Sequence, residues 1–290
     1  MKILLLGLLV VACMAESLVI TKSYTDYLKK HVAWEVVDYE SNIFRGWTDA
    51  EMNMLLGDHK EAFADIKSDP NPIDIKYMPE TLDWSKADCT HEISNQGNCG
   101  SCWAFSVSSV VSDRCCLAGK DHGWLAPQEL VSCDTGNDGC DGGDRTIAMN
   151  FVGKRGLVHD ACFPYKASDI PCPSKCADGN DWTSSHVCKC NNVRHCDGAT
   201  GIISCLATGP VAVGMAVYAD FMYYKTGIYR WDKKSPLRGY HAIRLVGYGA
   251  DYWKCANSWG ISWGDQGYFM IGKGECQIET RSPVVCDPTA

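Results

Sequence analysis

"QGNCGSCWAF", residues 96–105, sets two cysteines three apart, Cys99 and Cys102, just ahead of an apolar run. Three chemistries use such a pair. A redox pair would read Cys-Gly-Ser-Cys at a helix start, but thioredoxin-type motifs put an aromatic residue before the first cysteine. Here Asn98 precedes Cys99 and Trp103 follows Cys102. A metal site needs two more ligands, and the best source is "CKCNNVRHC", with Cys188, Cys190, His195 and Cys196. In an oxidising compartment disulfides explain that cluster better. The third chemistry is a nucleophile beside an unrelated structural cysteine.

The surroundings of Cys102 favour that third reading. Apolar residues at 103, 107, 110, 111 and 117 keep a helical spacing that Gly119 can end. Cys102 then sits in the first turn, where free backbone N–H groups and the helix dipole favour a thiolate. A nucleophilic thiol needs a base. Of eight histidines, only His241, in "GYHAIRLVGYG", opens an apolar strand flanked by glycines. A third group must orient the imidazole, and Asn257 in "ANSWG" lies sixteen residues on, with Trp259 able to shield the Asn–His hydrogen bond from water.

The chain as a whole bounds these readings. Its 290 residues, 46% hydrophobic and 21% charged, suit one large globular body or two lobes. A formal charge of −8 and no block of lysine and arginine make nucleic acid and anionic membrane poor partners. The opening "MKILLLGLLVVACMA" has a positive start, an apolar core over 3–12 and the small residue Ala15, the order of a secretory signal peptide over 1–15. No later stretch approaches the eighteen apolar residues of a membrane span. Removing Cys13 with the signal leaves seventeen of eighteen cysteines, so most should pair in a secreted chain and at least one must stay free.

Residues 16–78 carry no cysteine and many helix formers, with Thr48 and Glu51 placed as a capping box. Prolines 70, 72 and 79 bracket an extended stretch, and maturation is expected between Ile73 and Pro79. A cysteine-free leader before a cysteine-dense body suggests a separately folded pro-segment, an ordinary helical subdomain being the alternative. The body, 79–290, reads as a helical lobe over about 79–185 and a β lobe over about 186–290. "PVAVGMAVYADF", "HAIRLVGYG", "DYWKCANSW" and "GYFMIGKG" are its expected strands. A cleft between two lobes is where a site belongs.

The blocks "QGNCGSCWAF", "GYHAIRLVGYG" and "ANSWGISWGDQGYFMI" resemble the three active-site blocks of papain-like cysteine proteases. His241 and Asn257 follow Cys102 by 139 and 155 residues, close to the family's spacing. "SDRCC", "GCDGG", "KRGLV" and "GPVAVGMAVYADFMYYKTGIY" are similar to the cathepsin B-like branch, as is the leader around "VAWEVVDYESNIFRGW". The resemblance covers nearly all the chain after the signal. It implies an α+β, two-lobed papain-like fold with a helical left lobe, a β-barrel-like right lobe and the cleft between them. It also implies a proenzyme whose leader blocks the cleft.

By the same resemblance Cys102 is the nucleophile and His241 the base and then acid. Asn257 orients His241, and Gln96 with the Cys102 N–H forms an oxyanion hole worth about 3 kcal/mol per donor. Trp259 shields the triad, and Gly142 and Gly143 hydrogen-bond an extended substrate. Gly214, Tyr240 and Ala242 wall the S2 pocket, which receives the substrate's P2 side chain. The resemblance pairs Cys89–Cys116, Cys99–Cys140, Cys133–Cys172 and Cys162–Cys176. It leaves Cys115, Cys188, Cys190, Cys196, Cys205, Cys255, Cys276 and Cys286 unassigned. It implies protein and peptide substrates, cystatin-type inhibitors, a monomer, and no cofactor or metal. The expected location is the secretory pathway, ending in a lysosome-like acidic vesicle or outside the cell.

Two departures matter. The branch's occluding loop, with its paired histidines, would fall in "CFPYKASDIPCPSKC", 162–176, which has no histidine. The expectation is therefore an endopeptidase. The alternatives are a cathepsin B-like dipeptidyl carboxypeptidase and a catalytically silent, disulfide-rich binding homologue. After "CDGG" stand Asp144 and Arg145, where the family commonly has an aromatic residue and a proline. At the S2 floor stands Arg281, where cathepsin B has an acid. These residues give either a polar, charge-selective pocket or, if Asp144 pairs with Arg281 or Arg281 faces solvent, an apolar one. Arginine at P2 should be disfavoured relative to cathepsin B.

Overall fold

A computed structural model describes residues 18–59, 68–69, 72–120 and 123–289. The expected signal segment, 1–15, and residues 60–67 and 70–71 of the expected pro-segment lie outside these residues.

The elements run α1 (Lys22–His31), β1 (Glu35–Val36), α2 (Asp49–Asn53), β2 (Leu82–Asp83), α3 (Cys102–Leu117), α4 (Pro127–Cys133), α5 (Arg145–Arg155) and β3 (Cys190–His195). They continue with α6 (Gly198–Leu206), β4 (Val211–Tyr218), β5 (Tyr224–Thr226), β6 (Ile228–Tyr229), β7 (Leu237–Tyr248), β8 (Tyr252–Ala256), β9 (Tyr268–Gly272) and β10 (Val284–Pro288). Helices thus dominate the first half of the body and strands the second, as expected for an α+β chain. The sheet order is β3-β10-β4-β7-β8-β9-β6, with β2 against β7. Among the described residues β3 and β6 do not meet, so the lobe is an open sheet rather than a closed barrel.

The β4–β7 pair is the seam of the molecule. Val211, Val213 and Met215 on one face of β4 enter the core of the sheet lobe. On the other face Ala212 joins Ala242 of β7 and Cys102, Val107, Val110 and Val111 of α3. Small residues there let the helix lie close. Helix α3 was expected to bury one stripe, yet every residue from Cys102 to Cys116 is buried. It is enclosed by α4, α5 and β7, and its polar side chains are satisfied internally. Ser106 donates to the Ile243 carbonyl at 2.7 Å, and Asp113 pairs with Arg244 at 2.7 Å.

The leader lies on the body. Thr48 and Glu51 close the expected capping box on α2. Strand β1 pairs antiparallel with β5, and the Trp34 indole N–H donates to the Arg230 carbonyl at 3.0 Å. Val19, Ile20, Leu28, Trp34, Val36, Phe44, Met52 and Leu55 join the same apolar cluster as the sheet. The leader therefore shares its core with the sheet lobe instead of building its own.

Seven disulfides close the body. Cys89–Cys116, Cys99–Cys140, Cys133–Cys172 and Cys162–Cys176 are those the family pattern implies. Six of the eight extra cysteines pair as Cys115–Cys188, Cys190–Cys286 and Cys196–Cys205. These three bonds tie the end of α3, strand β10 and helix α6 to the segment around β3, so the sulfurs of "CKCNNVRHC" serve as staples. Cys102, Cys255 and Cys276 are free and buried.

Candidate active site

Cys102 opens α3, and β7 brings His241 and Ala242 against it. The Ala242 N–H points at the Cys102 sulfur at 3.4 Å. The His241 Nε2 lies 2.7 Å from Asn257 Oδ1, which also accepts the Ser258 N–H at 2.8 Å. An amide oxygen only accepts, so Nε2 carries the proton and Nδ1 is the basic nitrogen. Nδ1 is buried and has no hydrogen-bond partner. Trp259 covers the imidazole, with its ring 4.7 Å away.

Gln96 is fixed on both sides of its amide. Ser258 Oγ donates to its Oε1 at 2.7 Å. Its Nε2 donates to the Cys99 carbonyl at 2.9 Å and to the Leu55 carbonyl at 3.1 Å. The donor expected to hold an oxyanion thus holds a carbonyl of the leader. Tyr165, which the sequence did not single out, donates to the Gln96 carbonyl at 2.8 Å and meets Ser101 Oγ at 2.6 Å.

The leader continues through the site after Leu55. The Gly57 carbonyl accepts the Gly143 N–H at 2.9 Å, and the Gly143 carbonyl accepts the His59 N–H at 3.0 Å. The Gly57 N–H, with that of Ala242, is directed at the Cys102 sulfur. A Cβ at position 57 would collide with the Gly100 carbonyl, so only glycine fits there. Gly142, beside it, faces His59 and the Gly57 carbonyl.

This cover reverses the electrostatics expected at the helix start. Burial pushes the Cys102 thiol up to about 12, helped by the nearby Asp58 carboxylate. Burial pushes His241 down to about 4, opposed by its hydrogen bond with Asn257. The covered pair is neutral, not the thiolate–imidazolium pair.

The S2 candidates arrange differently from either expectation. Asp144 caps α5, accepting the N–H groups of Thr146 at 2.6 Å and Ile147 at 3.0 Å. Arg145 and Arg281 instead converge on Asp58 of the leader. Arg145 Nε lies 2.8 Å from Oδ1, and Arg281 Nη2 lies 3.0 Å from Oδ2. Arg281 stacks on Tyr240 at 3.9 Å, and the Tyr240 carbonyl accepts the Asp58 N–H at 3.3 Å. Gly214 sits against both the Asp58 carboxylate and the Arg145 guanidinium. Leu55, Gly57 and Asp58 were missed because nothing in their own sequence marks them. The two arginines were the available signal, since each buried cation asks for an anion.

Residues 162–176 are pinned by Cys162–Cys176 and Cys133–Cys172 and reach the active-site block through Tyr165. Asp169 from this segment accepts the Cys140 N–H at 2.8 Å. Among the described residues no cluster of His, Cys, Asp or Glu is arranged to hold a metal ion, and no helix is long and apolar enough to cross a membrane.

Comparison with known proteins agrees with this geometry. The family described as "Papain family cysteine protease" matches residues 78–286. "Cathepsin B-like CP3" of Giardia intestinalis is 39% identical over 82% of this chain and 85% of that protein. "Cathepsin B" of Dictyostelium discoideum is 33% identical over 67% of this chain and 69% of its own length. The solved structure "proCathepsin B S9 from Trypanosoma congolense" superposes with a TM-score of 0.84 at 27% identity, covering 94% of this chain and 100% of that one.

Proposed function

This chain belongs to the papain family of cysteine proteases, with cathepsin B-like relatives, and from that premise we propose a secreted or vesicular endopeptidase made as a proenzyme. Residues 16–78 are the pro-segment, and 79–290 the peptidase. One observation carries the reading. The leader backbone runs over the nucleophile, its Leu55 carbonyl on Gln96 Nε2 at 3.1 Å and its Gly57 N–H on the Cys102 sulfur. A peptide chain therefore fits this cleft, and the leader excludes any other.

With the leader removed, His241 Nδ1 takes the Cys102 proton and the thiolate attacks a substrate carbonyl carbon. The oxyanion takes the place of the Leu55 carbonyl on Gln96, joined by the Cys102 N–H. Collapse breaks the C–N bond, and His241 returns the proton to the leaving amine. Water, deprotonated by His241, then hydrolyses the thioester and restores the thiol. Asn257 holds the imidazole in the required tautomer throughout.

The endopeptidase assignment is supported by segment 162–176, which has no histidine and is pinned by two disulfides. It lacks the paired histidines that would receive a substrate's C-terminal carboxylate. A monomer open to cystatin-type inhibitors and routed through the secretory pathway fits the same reading.

The test uses acid-activated protein. An epoxide inhibitor such as E-64 should leave one adduct, on Cys102. Peptides with amidated C-termini should be cut internally as fast as those with free carboxylates. Dominant release of C-terminal dipeptides would make the enzyme an exopeptidase, and absence of any adduct would favour the silent homologue.

A further inference from the structure

The proposal concerns the pocket that Asp58 fills, and it rests on the protease reading above. Three observations define that pocket. First, its occupant is an acid. The Asp58 side chain is 1% exposed and meets Arg145 through Nε at 2.8 Å and Arg281 through Nη2 at 3.0 Å. Second, the body positions both guanidinium groups, and Arg281 also donates to the leader's His59 carbonyl at 2.9 Å. Arg145 donates to the carbonyls of Ser282 at 2.8 Å and Arg281 at 2.9 Å. Arg281 lies flat on the Tyr240 ring. Third, the position along the bound chain is defined. Gly57 is the residue at the Cys102 sulfur, and Asp58 is its neighbour. The pocket is walled by Gly214 and Tyr240, the residues the resemblance assigns to S2, so the substrate side chain entering it is that of P2, a place the leader fills with the residue after Gly57.

We propose that Arg145 and Arg281 form a carboxylate-binding S2 pocket, selecting aspartate or glutamate at P2, and that Asp58 is its built-in competitor. Removing the leader takes away the carboxylate that the two guanidinium groups share. A substrate carboxylate replaces it, and a planar guanidinium offers paired donors that a carboxamide or an apolar side chain cannot match. Gly214 provides the room, because a Cβ there would press on both the Asp58 carboxylate and the Arg145 guanidinium. An arginine at P2 meets like charge and is rejected.

The experiment is a fluorogenic series on leader-free enzyme, with P1 fixed and glutamate, aspartate, glutamine, leucine, phenylalanine or arginine at P2. Glutamate or aspartate should exceed glutamine in kcat/KM by roughly ten- to a hundredfold, the discrimination a charged hydrogen bond supplies. Arg281→Gln should bring the glutamate-to-glutamine ratio towards one, and Arg281→Glu should raise arginine at P2 above glutamate. Leucine or phenylalanine equal to glutamate in the wild type would overturn the pocket assignment. So would a glutamate-to-glutamine ratio that Arg281→Gln leaves unchanged. A denatured protein is digested in parallel and its new ends are sequenced. Digestion without acids at P2 overturns the pocket but keeps the protease. No digestion, together with no alkylation of Cys102 by iodoacetamide, overturns both.

Discussion

At Cys102 two influences on one thiol oppose each other, and their sizes decide the outcome. The start of α3 favours the anion by about 0.3–2 kcal/mol. Full burial can move a buried group by about 3–5 pKa units in the other direction. Burial dominates, leaving the thiol near 12 and His241 near 4. With its value raised, the thiol stays protonated until the pH approaches 12. With its value lowered, the imidazole stays neutral until the pH falls towards 4. Between those limits the covered pair carries no charge. Iodoacetamide should therefore alkylate Cys102 in the full chain at pH 6–7 at least about a hundredfold more slowly than in leader-free enzyme, since only the thiolate reacts. Mass-spectrometric rates on the two forms check this, and equal rates would show that the leader does not silence the thiol. The sequence singled out Cys102, His241 and Asn257 as candidates through residue type and position, and Gln96 through the family resemblance alone. It could not reveal Asp58, whose role exists only where the folded chain sets it between Arg145 and Arg281.

Among the elements, the short extended run after α2 controls access. Gly57 presses on Gly100 so closely that no side chain fits. Gly57→Ala must lift this run away from Cys102, so the full chain should hydrolyse peptide before maturation while leader-free enzyme keeps its activity. A progress curve starting without a lag would show it, and an unchanged lag would count against the contact. Elements with a strong period were legible: α3 from Cys102 and strands β4, β7, β8 and β9 fall where the apolar pattern put them. Strands β3 and β10 were not. Strand β3 is mostly polar, "CNNVRH", with two exposed asparagines, and Cys190–Cys286 joins it to β10. A covalent staple there substitutes for the apolar alternation on which strand reading depends. The sheet's open path was equally hidden, because strand order depends on long-range pairing that no local pattern encodes.

At the scale of the whole molecule, residues of the leader share one apolar core with the sheet lobe. Trp34 is 4% exposed, and its ring lies tilted against that of Tyr229 at 5.4 Å. Trp34→Ala should cost leader docking about 3–5 kcal/mol. It should lower the melting temperature of the full chain and leave that of leader-free enzyme unchanged; calorimetry on both forms would reveal a different pattern. The pairing of β1 with β5 also sets a schedule. Lys225 and Glu35, which join these strands, are 190 residues apart in the chain. At about 5–20 residues per second, the ribosome needs roughly 10–40 s after making β1 before its partner strand exists. The leader is thus the first described part of the chain to be synthesised and among the last to find its place. The run in the cleft is on a similar schedule, since the Asp58 N–H waits for the Tyr240 carbonyl.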